Sequence, residues 1–189
     1  IAPGKVTTVL GRNGMGKTTL LKCLMGLLPV KSGAIEFDGK DLTRMRPDQR
    51  AQAGIGYVPQ GRRLFGDLTV AENIFMGHMP GRTSGFIDWP QMRQRTAELL
   101  KSIEADFDPD DKLKQLSVAQ KHMVEIARAL SHEASVIIMD EPLAEVDPET
   151  ALEIESIILE MRDTTLFVVS HQVSPRLLQA FDHHIRIGG

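Results

Sequence analysis

The run Gly11-Arg12-Asn13-Gly14-Met15-Gly16-Lys17-Thr18 sets glycines, a lysine and a hydroxyl at the spacing G-x-x-x-x-G-K-[ST]. Residues of these types in this order make a seat for phosphate. Glycines let the backbone curl close to an anion with its amide N–H groups turned inward. The positive end of a following helix adds to that field. Lys17 would reach the β- and γ-phosphates of a nucleoside triphosphate, and the Thr18 hydroxyl would ligate Mg²⁺. The candidate nucleotide contacts in this stretch are Asn13, Gly14, Gly16, Lys17, Thr18 and Thr19. Phosphate loops serve kinases, GTPases, motors and transporters alike, so the motif fixes the ligand class and leaves the task open.

A second constellation follows an apolar run. Val136-Ile137-Ile138-Met139 leads directly into Asp140-Glu141. A carboxylate at the carboxyl end of a parallel strand lies beside such a phosphate loop, where Asp140 can hold Mg²⁺. Glu141 can then accept a proton from an attacking water and align it.

These groups need a scaffold, and the hydrophobic pattern supplies one. Residues 5–10, 34–37, 55–58, 136–139, 166–169 and 185–187 read as strands, and 17–28 as an apolar-rich helix. The unbroken apolar runs at 136–139 and 166–169 fit strands buried on both faces. Asp38-Gly39 is a turn pair and Pro59 stops the third strand. Thr69 caps a helix beginning at Val70, residues 91–103 form a polar-faced helix, and Ser117 with Gln120 opens another over 118–130 as a capping box. The fold class expected is α/β, a phosphate-loop NTPase core with a mainly parallel sheet plus a helical subdomain. One domain spans 1–189, its core at 1–69 and 131–189 and the helical part at 70–130.

Five motifs in order resemble those of ATP-binding domains of ABC transporters. After the phosphate loop, Tyr57-Val58-Pro59-Gln60 resembles the Q-loop and Leu116-Ser117-Val118-Ala119-Gln120 the LSGGQ signature. Asp140-Glu141-Pro142 with Asp147-Pro148 resembles the Walker B motif and D-loop, and Val169-Ser170-His171 the H-loop. The resemblance covers nearly the whole chain. It implies an ATP hydrolase with ATP and Mg²⁺ as ligands. Glu141, His171 and Gln60 would be catalytic, Thr18, Gln60 and Asp140 would hold metal, and Ser117 and Gln120 would meet nucleotide. In this family the signature helix points across a head-to-tail homodimer or pseudo-dimer at the partner's ATP. The implied partner is a transporter membrane subunit, with the chain on the inner face of the cell membrane through that subunit. The segment 61–66 is the expected contact, with Leu64 and Phe65 as anchors or core residues. Residues 21–27 and 56–65 are similar to ATPases of branched-chain amino-acid and urea importers, and 123–130 with 136–142 to those of sugar importers.

Several departures bear on activity. Val118 and Ala119 stand where the signature has glycines, and Leu143 where a threonine is usual. The family stacks adenine on an aromatic residue upstream of the phosphate loop. None of the ten residues before Gly11 is aromatic, and the first is Ile1, so a trimmed start and weakened nucleotide affinity are expected. These features leave open a weakly binding, recombined or designed scaffold. A soluble ABC ATPase acting on ribosomes or DNA is the other alternative, although tandem cassettes, a coiled-coil insert and a basic linker are not seen.

Composition narrows the classes further. With 42% hydrophobic and 25% charged residues, the 189-residue chain is ordinary globular protein. A net charge of -3 makes no case for nucleic acid. No apolar run approaches the ~20 residues that span a bilayer, so direct membrane insertion is not expected. The single cysteine, Cys23, precludes an internal disulfide and reads as an inert core thiol.

Overall fold

The structure, a computed structural model, describes residues 4–12, 14–61, 64–81, 85–144, 146–161, 164–171 and 173–187. Its contacts divide the chain into two compact units. The first comprises Ile1–Gln60, His132–Ala144 and Arg162–Gly189, and the second Gly61–Ser131 and Glu145–Met161.

The first unit is built on a five-stranded sheet of β1 (Val6–Leu10), β4 (Ile55–Val58), β5 (Val136–Asp140), β6 (Thr165–Ser170) and β7 (His183–Arg186). The strand order is β4-β5-β6-β1-β7 and every pairing is parallel. All of β6 is buried, and β5 beyond Val136, as their unbroken apolar sequences require. Register brings the carboxyl ends level. Val58 pairs with Met139, Asp140 with Val169, and Leu10 with both Ser170 and Arg186. Each of Gln60, Glu141, His171 and Gly11 thus lies one or two residues past a strand end on the same edge. Helices α1 (Lys17–Leu24), α2 (Pro47–Gln52) and α7 (Pro175–Ala180) complete the unit. Its core gathers Val9, Leu21, Met25, Leu42, Ile55, Ile138, Phe167 and Val169.

Three expectations change here. Residues 34–37 do not join the main sheet. Only β2 (Glu36–Phe37) forms, in an antiparallel hairpin with β3 (Lys40–Asp41). Asp38 (φ 50°) and Gly39 (φ 70°) both adopt left-handed backbone, which a two-residue hairpin turn demands. Helix α1 ends at Leu24, not 28. Gly26, at φ 72°, donates its N–H to the Cys23 carbonyl at 3.1 Å, while the Leu27 N–H reaches the Lys22 carbonyl at 2.8 Å. This pair of bonds is the Schellman stop. The buried Arg50 side chain completes it, donating from Nη1 to the carbonyls of Cys23 (2.7 Å) and Leu24 (2.6 Å). Cys23 itself is half-buried and not a core thiol, its Sγ 3.8 Å from the Pro29 carbonyl oxygen. The core face of α1 is carried by Lys17 and Leu21, which leaves position 23 to the side.

The second unit is helical: α3 (Val70–Ile74), α4 (Trp89–Ser102), α5 (Val118–Leu130) and α6 (Pro148–Glu160), with a 3₁₀ turn at Leu113–Gln115. Helix α5 packs on α3, α4 and α6. Thr69 and Ser117 cap α3 and α5 as read from sequence, each in a complete capping box. Helix α4 starts two residues earlier than expected because Asp88 caps it and Pro90 is tolerated in its first turn. Asp147 caps α6, accepting from the Glu149 and Thr150 N–H groups at 3.1 and 3.0 Å. Phe65 is 53% exposed, whereas Leu64 is half-buried. Among the described residues no helix is long and apolar enough to cross a membrane.

Candidate active site

At the carboxyl edge of the sheet lies a cleft of about 360 Å³ lined by Gly14, Gly16, Lys17, Thr18, Thr19, Gln60, Glu141 and His171. All of them belong to the first unit. Side chains far apart in sequence are thus gathered by four adjacent strands and one helix.

The loop leading into α1 needs its glycines. Gly14 and Gly16 have φ of 86° and 89°, where a side chain would be strained. Gly16 is also the N-cap of α1. Among the described residues no side chain caps its first N–H donors and no acidic residue of its first turn offsets its positive end. Lys17 is 5% exposed and its Nζ donates to the Gly11 carbonyl at 2.6 Å and to that of Arg12 at 3.2 Å. Glu141 Oε1 stands 3.6 Å from the same nitrogen.

Glu141 is 8% exposed and sits at φ 51°, a costly backbone for a non-glycine residue. Its N–H bonds to the Val169 carbonyl at 2.8 Å. Its Oε2 accepts from the His171 backbone N–H at 3.0 Å and pairs with His171 Nδ1 at 2.8 Å. A carboxylate oxygen only accepts, so Nδ1 carries the hydrogen. Two bonds to Oε2 therefore fix the carboxylate that could take a proton and couple it to the histidine, while the third anchors the Glu141 backbone.

Asp140 lies beneath the cleft, 3% exposed, and is not part of its lining. The Tyr57 hydroxyl donates to Oδ2 at 3.3 Å, while Oδ1 is buried with no partner among the described residues. Burial pushes this carboxyl above its usual range and the Glu141 charge adds to that, with the Tyr57 bond and the charges of Lys22 and Lys17 opposing it. A buried anionic oxygen with no partner fits a cation that the protein itself does not supply. Among the described residues no cluster of three or more His, Cys, Asp or Glu could hold a metal. Mg²⁺ bound through one carboxylate, a hydroxyl and substrate phosphates needs no such cluster.

Ser117 and Gln120 belong to the second unit and do not line this cleft. Ser117 Oγ accepts from the Gln120 N–H at 3.2 Å, and Gln120 Oε1 accepts from the Ser117 N–H at 2.9 Å. Of the two residues replacing signature glycines, Ala119 is 4% exposed and its methyl is absorbed by the core, while Val118 is half-buried. Asn13 lies outside the described residues. Sequence reasoning missed the Tyr57 hydroxyl as a partner of Asp140. The signal was its place in the quoted run, but only the pairing of Tyr57 with Ile138 sets it diagonal to Asp140 on one face.

With this geometry in hand, comparison decides the family. Residues 1–144 match the family model described as ABC transporter. The chain belongs to the ABC transporter family. Ribose import ATP-binding protein RbsA 1 of Agrobacterium fabrum is 41% identical to this ABC protein over 172 residues, 90% of the chain and 34% of the relative. The chain thus spans about a third of the length of the curated relatives it matches. Its fold matches that of MJ1267, an ATP-binding cassette of an ABC transporter solved in its ADP conformation. There the TM-score is 0.84 at 29% identity, covering 98% of this chain and 77% of that one. The dimeric cassette MJ0796, solved in a post-hydrolysis state with ADP and Pi, gives a TM-score of 0.77 at 25% identity, covering 99% of this chain and 82% of that one. The expected α/β fold with a parallel central sheet is the one found.

Proposed function

We propose that this chain binds ATP with Mg²⁺ and hydrolyses it to ADP and phosphate, and that the reaction powers an importer of small polar solutes. One observation carries the reading: Lys17, Thr18, Gln60, Glu141 and His171 share a single cleft with the open end of α1. Neutral or uncharged ligands have no use for that donor set, whereas a polyphosphate does.

In this reading the α1 N–H groups, Gly14, Gly16 and Asn13 cradle the phosphates, beside Thr19. Lys17 leaves its carbonyl partners for phosphate oxygens, which are better acceptors because they are charged. Thr18, Asp140 and Gln60 would hold Mg²⁺, which neutralises charge on the β- and γ-phosphates when bound. Glu141 takes the proton as water attacks the γ-phosphorus and the bond to the bridging oxygen breaks, releasing ADP. His171 keeps Glu141 in place through Nδ1, and a cationic ring would also donate from Nε2 to the γ-phosphate. General-base removal of this kind is worth about 10²–10⁴-fold in rate.

The core at 1–69 and 131–189 would hold nucleotide, and the helical part at 70–130 would carry the signature helix. A second copy, head to tail, would bring Ser117 and Gln120 to the nucleotide, since Ser117 can still donate its hydroxyl hydrogen while accepting from Gln120. The dimeric cassette among its structural neighbours supports that arrangement. Ribose-import relatives support import of a small polar solute. Transport would require a membrane subunit, contacted through exposed Phe65, with this chain on the cytoplasmic face.

The test is phosphate release from MgATP over a range of protein concentrations. Wild-type rates should rise faster than linearly with protein, and Lys17→Ala and Glu141→Gln should abolish release, the latter keeping nucleotide. Release equal in all three proteins would overturn the reading.

A further inference from the structure

The Asp140 carboxylate has two oxygens in unlike states, one bonded to Tyr57 and one buried alone. That asymmetry has a structural cause. Strands β4 and β5 are parallel neighbours with Tyr57 opposite Ile138, so Asp140, two residues on, shares the face of Tyr57. Two residues along a strand cover about 6.6 Å, the reach of a tyrosine side chain laid along it. The ring is held by packing against the cluster that contains Ile55 and Ile138, and has little freedom to swing away. Its hydroxyl meets Oδ2 at 3.3 Å, a long bond of the kind that tightens when a ligand is bound.

We propose that Tyr57 is a positioning residue for the metal of the nucleotide site: by occupying Oδ2 it fixes the rotation of the Asp140 carboxylate and reserves Oδ1 for Mg²⁺. This rests on the reading of the cleft as a Mg–nucleotide site. Without the hydroxyl, both oxygens compete for one cation and the carboxylate turns freely about its last bond, so metal affinity falls while the phosphate seat is untouched. Lys17 of the phosphate seat is held by the Gly11 and Arg12 carbonyls, so nucleotide binding without metal is the internal control.

The experiment uses Mn²⁺ as the probe, followed by the loss of its free-ion electron paramagnetic resonance signal, in the presence of a non-hydrolysable ATP analogue. Tyr57→Phe removes the hydroxyl and keeps the ring. Its Mn²⁺ affinity should fall by about three- to tenfold, the worth of one hydrogen bond. Analogue binding in EDTA and the melting temperature should match wild type. Unchanged Mn²⁺ affinity overturns the proposal, as does an equal loss of metal and metal-free nucleotide binding, which marks a merely structural role. Asp140→Asn separates this from failure of the underlying reading. If wild type binds Mn²⁺ no better than Asp140→Asn, the metal site is absent and both fall. If wild type binds and Tyr57→Phe equals it, only the tyrosine proposal falls.

Discussion

Helices α1 and α5 begin in opposite ways. Ser117 and Gln120 close the start of α5 with two reciprocal bonds, and Thr69, Asp88, Asp147 and Ser174 cap their helices with side-chain oxygens. Helix α1 starts on Gly16 in left-handed backbone with no side-chain cap among the described residues. Glu104 in the second unit also takes left-handed backbone and Glu155 Oε2 is buried without a partner among the described residues, but three such features meet at or just beneath the cleft of the first unit: a helix start with no side-chain cap, a left-handed Glu141 and an orphaned Asp140 oxygen. Such departures from local consistency are expected where a ligand supplies what the chain leaves out.

The comparison can be broken at its open end first. Thr19 is the third residue of α1, the position at which α3 carries Glu72 and α5 carries Gln120. Thr19→Glu would give α1 the acidic first turn it lacks. A carboxylate suits the helix dipole, so the melting temperature should hold or rise. The same charge beside bound phosphates should weaken ATP by about 100-fold. Isothermal titration and thermal melting of one sample check both; a destabilised protein or unchanged affinity goes against the account.

The closed end offers a sharper test of smaller size. Ser117→Ala loses both the cap and the hydroxyl hydrogen, whereas Ser117→Asp keeps a good cap and turns the helix start anionic. Ser117→Ala should melt about 2–4 °C lower, from a cap worth ~1 kcal/mol. Ser117→Asp should melt near wild type, yet show the greater loss of ATP-dependent dimer in the Glu141→Gln background, by about tenfold. Equal dimerisation of both variants and the parent would confine Ser117 to capping.

The smallest effect is a titration. The Thr69 backbone N–H, joined by the Thr69 hydroxyl, bonds the Glu72 carboxyl and holds it below its usual range against the opposing effect of burial. A carboxyl depressed in the folded state contributes stability that is present above its unfolded pKa and lost as pH falls through the folded one. Glu72→Gln retains the box without the charge. The wild type should melt about 1–4 °C higher at neutral pH, and the two curves should converge below about pH 4. A gap that persists in acid would assign the difference to packing.

Much of this was legible beforehand because the signals are local. The phosphate loop, the acids after β5 and the caps at Thr69 and Ser117 are written in consecutive residues. What escaped depends on distant partners. Arg50 is buried because the carbonyls at the end of α1 receive it, and Tyr57 meets Asp140 only through strand register. Gly26 marked the end of α1, but the leucines beyond it continued the apolar pattern and hid the stop. The left-handed backbone of Glu141 has no local signal, since nothing about a glutamate predicts a positive φ.

The most direct test of the open helix end as a phosphate seat is competition against a fluorescent ATP analogue on the wild-type chain and on Lys17→Ala. ATP, ADP and inorganic pyrophosphate should displace the analogue from wild type, adenosine should not, and Lys17→Ala should bind it at least about tenfold more weakly. Displacement by adenosine as effective as by ATP, or full affinity in Lys17→Ala, would contradict the account.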